Sequence, residues 1–310
     1  MSLELQIFLQ RLLTPAVFSF VGCYLLSTPH QEENHDCNEP VEGIGFRAIA
    51  GAFLCGIGMI AADLWQRGLI SKPMEWSQWR AKYQWEWMVW LIPASMLIMA
   101  IIRSLCLVPI HFISMSATAT ASIAASVLYV SLNEGSLWQD QSDKLILWMA
   151  LGVVAVMWNT LALNSIARSG GSRWTPLVTM AQLGCIGYLI FQAYASLGEW
   201  VFTGIGVAFG ASFMAMLKGS NANFYFGWQL STIVLPLGVM AIACLAVSRF
   251  FEIPVIPNWL VGSILFLPTV VGGVDRTLGR RANAWMRAGI AAIICIALLG
   301  TIVYFAPIKL

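Results

Sequence analysis

GIGMIAADLWQRG, Gly56 to Gly68, is an apolar run rich in glycine and alanine that ends in an acid, an aromatic and a base. Its apolar part closes a stretch from near residue 45 to near residue 64, and about 20 such residues are what a helix needs to cross ~30 Å of hydrocarbon. A carboxylate at the lip of such a span needs a reason, because charge is costly inside a bilayer.

The rest of the chain agrees. Of its 310 residues, 59% are hydrophobic and only 10% charged, whereas a soluble domain carries roughly 25% charged residues. Runs of span length recur near 5–26, 45–64, 87–107, 110–132, 145–166, 174–196, 199–217, 228–249, 255–272 and 286–306. The longest connections, 27–44 and 65–86, are too short to bury a core of their own. The expected fold is all-α: a polytopic transmembrane helical bundle of about nine or ten spans, one integral membrane domain over residues 1–310. The N-terminus has no basic segment ahead of its apolar run, so the first span is expected to be retained. The 17 basic and 15 acidic residues nearly cancel, which excludes the basic surface that nucleic acid requires.

Span number and orientation are coupled. With ten spans the basic residues divide nine to seven between the two sides; if 87–132 crosses once, they divide eleven to four. The positive-inside rule therefore keeps nine spans open. HFISMSATATASIAAS, residues 111–126, is nearly all Ser, Thr and Ala, gains little from lipid contact, and is expected to be buried among helices or partly re-entrant. Gly206 and Gly210 form a GxxxG pair, expected to let another backbone approach. MEWSQWRAKYQWEWMVW, Met74 to Trp90, places Trp76, Trp79, Tyr83, Trp87 and Trp90 on one helical stripe and should form a short amphipathic segment in the membrane interface.

Seven cysteines and three histidines are scattered, with no CxxC and no Cys/His pair, so no metal or haem is expected in this chain. Ionisable residues near apolar ends are few: Arg11, Asp63, Glu86, Arg103, Glu199 and Asp275. No chain of carboxylates crosses the bilayer, which argues against a proton pump. GGVDRTLGRR, Gly272 to Arg281, has the wrong spacing for the loop signature of major facilitator transporters, and Ser212 has no following histidine to activate it as in a rhomboid protease.

Three stretches carry a family resemblance. ELQIFLQRLLTPAVFSF (Glu4 to Phe20), GIGMIAADLWQRG followed by Lys72-Pro73, and LILWMALGVVAVMWNTLALNSIARSGGSRWTPL (Leu145 to Leu177) resemble, in order, segments of the DMSO reductase anchor subunits. Together they cover about a third of the chain, within which Asn164 and Trp174 read as structural landmarks. The resemblance implies a multi-pass subunit of a bacterial inner (cytoplasmic) membrane that draws on the quinone pool of the lipid bilayer. It would bind menaquinol as substrate and pass electrons to an iron-sulfur subunit partnered with a molybdenum catalytic subunit.

The family's important glutamate falls on Glu86 and its histidine on Trp65. Quinol oxidation releases two protons, and indole cannot accept one. The resemblance therefore implies Asp63 or Glu86 as proton acceptor, Trp65 stacking on the ring, and Arg67 completing the frame. Against this stands the reading of Asp63 and Arg67, four residues apart, as a solvated helix-end pair. Two other functions stay open. One is a small ten-span transporter, marked by two inverted five-span halves; the other is a degenerate anchor that only tethers a partner.

Overall fold

The computed structural model describes residues 6, 8–27, 44–66, 84–105, 109–132, 142–167, 174–191, 195–217, 224–250, 257–278 and 283–305. Within them the protein is all-α. Its ten α-helices are α1 (Thr14–Ser27), α2 (Ile44–Gln66), α3 (Met88–Leu105), α4 (Pro109–Leu132), α5 (Ser142–Ile166), α6 (Thr175–Phe191), α7 (Ala195–Leu217), α8 (Phe224–Phe250), α9 (Asn258–Leu278) and α10 (Ala284–Phe305). Each falls on one of the ten apolar runs. Eight are long and apolar enough to cross a bilayer, which makes this a multi-pass membrane protein; α4 and α6 offer shorter apolar stretches, Ile113–Tyr129 and Thr175–Phe191.

The contacts fix the relative directions of nine helices. Gly22 lies against Gly51 and Gly58 against Pro15, so α1 and α2 run antiparallel. Gly206 meets the Leu12 backbone and Gly210 that of Ala16, so α7 runs parallel to α1, and the GxxxG pair serves the close packing expected of it. Gly187 against Val201 and Gly204 against Leu183 make α6 and α7 antiparallel. Trp174 lies under Arg287, and Cys185 is close enough to Cys295 to interact, so α10 follows α6. Asp275 pairs with Arg287 and Trp259 packs on Phe305, turning α9 against α10. Trp158 bonds Thr269 and Ser165 bonds Arg276, so α5 follows α9.

Thr120 bonds Thr160 and Ser116 bonds Asn164, setting α4 against α5. Three residues separate α3 from α4, and α4 touches the 3-10 turn Gln84–Trp87 that opens α3, so these two form a hairpin. Odd-numbered helices therefore run one way, and α2, α4, α6 and α10 the other. Residues 87–132 hold two opposed helices, not one continuous helix, although the apolar part of α4 is the shorter stretch Ile113–Tyr129.

The helix α8 is central. Its apolar window is wholly buried, against α1 and α3 to α7, and small residues such as Gly238, Ala241 and Ala243 let neighbours close in. The Ser/Thr/Ala helix α4 is buried on one face only. Ser116, Thr120 and Ala124 turn inward, while Thr118, Ser122 and Ser126 face out with each hydroxyl donating to the carbonyl four residues back. The expectation for this stretch is burial among helices or partial re-entrance; it packs among helices on one face, and the internal satisfaction lets the hydroxyls of the other face an apolar medium. Of the aromatic segment, residues 74–83 lie outside the described residues, as do the connection 28–43 and Cys37. The five described cysteines are free and buried.

Candidate functional site

The ends of the helices define two faces. At face A lie the N-terminal ends of the odd helices and the C-terminal ends of α2, α4, α6 and α10. Just before α1, residues Phe8–Leu13 form a wide π-helical turn. Pro15 has no N–H to give the Arg11 carbonyl, and Thr14 Oγ1 donates to the Leu9 carbonyl at 2.9 Å, so the regular ladder is broken there.

Arg11 sits in that turn. Its Nη1 reaches Asp63 Oδ1 at 3.1 Å, and each side chain is only 6% exposed. The carboxylate at the lip of the second span is thus half of a buried ion pair linking α1 to α2. The solvated-pair reading is thereby corrected: Asp63 is buried and bound to Arg11, while Arg67 lies outside the described residues. An arginine within an apolar run needs a partner, a signal that sequence reading registered without naming which partner.

Glu86 occupies the 3-10 turn before α3 and is buried. Gly56 of α2 lies against Pro93 of α3, where an added Cβ would meet the proline ring at 3.2 Å. These helices run in opposite directions, so Asp63, seven residues after Gly56, lies at the same depth as Glu86, seven residues before Pro93. The turn that holds Glu86 packs on α4 and on the start of α3, and the two acids share a depth at this face. Trp65 lies two residues beyond Asp63 and therefore points the other way: it is 43% exposed, and Trp87, beside Glu86, is 48% exposed. Two buried carboxylates and two half-exposed tryptophans thus lie at about one depth at face A.

Helix α7 adds groups that sequence reading did not assemble. Glu199, Thr203, Gly206 and Gly210 follow one stripe of α7, and the two glycines are those on which α1 rests. Gln66, in the last turn of α2, donates through Nε2 to Glu199 Oε2. Three buried atoms here have no hydrogen-bond partner: Gln66 Oε1, Trp200 Nε1 and Thr203 Oγ1. Gln10 is buried beside Arg11 in the chain.

At face B the polar groups differ. Arg287 forks onto Asp275, Nε to Oδ1 and Nη2 to Oδ2, both at 2.6 Å, and lies 4.9 Å over the Trp174 ring. Asn164 bridges α5 to α4 through Ser116 at 3.3 Å, the helix-bridging role its amide predicts. Among the described residues, no three His, Cys, Asp or Glu side chains are grouped to hold a metal ion. No protein-family model matches the chain, and no curated protein or solved structure matches it either.

Proposed function

We propose that this protein is the membrane anchor of a molybdenum and iron-sulfur oxidoreductase, binding menaquinol at face A beside α2 and α3. The observation that carries the reading is the shared level of buried Asp63 and Glu86 and half-exposed Trp65 and Trp87. A quinol is amphipathic, with a tail that stays in lipid and a ring carrying two ionisable hydroxyls. An aromatic outer layer suits the ring, and an inner carboxylate suits a hydroxyl.

Roles then divide by environment. The Asp63 carboxylate is committed to Arg11, so its task is to hold α1 against α2 and fix the local charge. Glu86, buried in the turn before α3, accepts the first proton. Trp65, where the resembling family has histidine, contributes a stacking surface on the lipid side. The electrons pass to an iron-sulfur cluster of a peripheral subunit, and the molybdenum subunit consumes them.

The transporter reading fares worse on topology. A five-plus-five inverted repeat that sets α1 on α7 would also set α6 on α2, and among the described residues those two share no comparable packing. It would also give α3 the central place of α8, whereas only half of the α3 window is buried.

The test is a mild-detergent pull-down of the tagged protein, with mass spectrometry for subunits and analysis for iron, molybdenum and quinone. Both metals with an iron-sulfur protein are expected, and Glu86→Gln in that complex should slow quinol oxidation by about 10²-fold or more. A chain that purifies alone, metal-free and without quinone overturns the reading. Recovery of the partners with no quinol oxidation by the wild-type complex would leave the tethering role alone.

A further inference from the structure

Proton release needs an exit as well as a base. Oxidising a quinol to a quinone frees two electrons and two protons, and a buried glutamate that takes one must hand it on before the next turnover. Asp63, Arg11 and Glu86 are each under a tenth exposed, so none of them meets bulk water freely.

One contact near the end of face A joins Gln66 to Glu199. Gln66 lies three residues beyond Asp63, on the same side of α2 and one turn nearer the helix end. It is partly exposed, as is Glu199, to which its Nε2 donates. Exposure therefore rises from the ion pair to this pair. The amide is held with its donor on Glu199, which leaves Oε1 turned elsewhere, buried and without a partner. A buried amide oxygen of this kind lacks a hydrogen-bond donor, and a water or a ligand hydroxyl supplies one. Thr203 Oγ1, fully buried on the Glu199 stripe of α7, also has no partner.

We propose that Gln66 and Glu199 form the proton exit of the quinol site: a water held at Gln66 Oε1 passes the proton leaving the buried carboxylates to Glu199, which releases it at face A. The inference rests on the quinol reading above. Its balance is that of the reaction: quinol loses two O–H protons through this exit and two electrons to the iron-sulfur partner, becoming quinone. Glu199 is a positioning and relay residue, since it does not touch the ring.

The experiment uses the intact complex with its partner subunits and a soluble quinol analogue. Glu199→Gln keeps the size and can still bond Gln66, so binding of the quinol analogue should be unchanged. Steady-state oxidation should fall at least about tenfold, and small weak acids such as azide or formate should restore part of it. Rescue by a diffusible acid is a response that a merely structural role does not give. Gln66→Leu, removing the water site, should show the same rescue with a smaller loss, and Glu199→Asp should keep most of the rate. Full activity of Glu199→Gln overturns the inference while the quinol reading stands, as does a loss that no weak acid repairs in a folded, quinol-binding variant. A wild-type complex that neither binds nor oxidises the analogue overturns the underlying reading instead.

Discussion

The two faces each carry an arginine–aspartate pair, and the pairs are built differently. At face B, Asp275 and Arg287 stand 12 positions apart on consecutive helices, meet through two bonds of 2.6 Å, and are backed by the Trp174 ring. At face A, Arg11 and Asp63 are 52 positions apart and meet with Nη1 3.1 Å from Oδ1, near Gln66 Oε1 and Thr203 Oγ1, which have no hydrogen-bond partner; at face B the Trp174 Nε1 has none either. A bidentate fork with a cation over indole uses the guanidinium geometry fully and staples a hairpin. The Arg11–Asp63 pair instead ties together segments far apart in the chain. The first staples a hairpin; the second stands beside the proposed quinol site.

The largest effect should come from unseating the helix that carries Arg11. An added Cβ at Gly210 would overlap the Ala16 backbone, and one at Gly206 the Leu12 backbone, neither of which is a flexible side chain. Gly210→Val should therefore displace α1 and separate Arg11 from Asp63, with loss of folded protein in detergent by size-exclusion. Gly300→Val on α10 has open space around it and should be neutral in the same assay.

The next experiment compares the pairs directly. Removing one partner of a buried pair leaves an uncompensated charge, which costs about 3–5 kcal/mol. Asp63→Asn and Asp275→Asn should each lower thermal stability by that order. Replacing both partners by apolar residues of similar volume often restores stability. The doubles Arg11→Met with Asp63→Leu, and Arg287→Met with Asp275→Leu, should both refold well. Only the first should lose quinol oxidation in the complex. Equal loss, or equal retention, would erase the distinction between the faces.

The positions of the helices were legible because bilayer thickness imposes a length on each apolar run. Their places in the bundle were not. The α8 and α10 windows share a mean hydropathy of 2.4, yet the first is wholly buried and the second only 22% buried. Lipid and protein interior are equally apolar, so hydropathy cannot separate them. At the site, Asp63 and Glu86 stood out as acids at the ends of spans, and Gly206 and Gly210 as a packing pair. Arg11 as the partner of Asp63, and Glu199 as that of Gln66, depend on α1 lying between α2 and α7. That neighbourhood arises from tertiary packing across more than a hundred residues, and no local pattern encodes it.

The smallest effect lies between the faces, where Gln182 ties α6 to α5 and α9. Pro268 inside α9 has no N–H, so the carbonyl four residues earlier, on Ile264, loses its helical donor. Gln182 of α6 supplies the replacement, donating through Nε2 to that carbonyl at 3.0 Å and to Asn159 Oδ1 at 3.1 Å. Interhelical hydrogen bonds in membranes contribute about 0.6 kcal/mol on average and rarely beyond ~1.7. Gln182→Leu should thus cost about 1–2 kcal/mol in thermal unfolding and leave quinol oxidation intact. Pro268→Ala restores a backbone donor for Ile264, so in that background the same substitution should cost roughly half as much. An undiminished cost would mean that Gln182 serves Asn159 alone, while a loss of activity would place the polar middle of the bundle in the function and break the division between the faces.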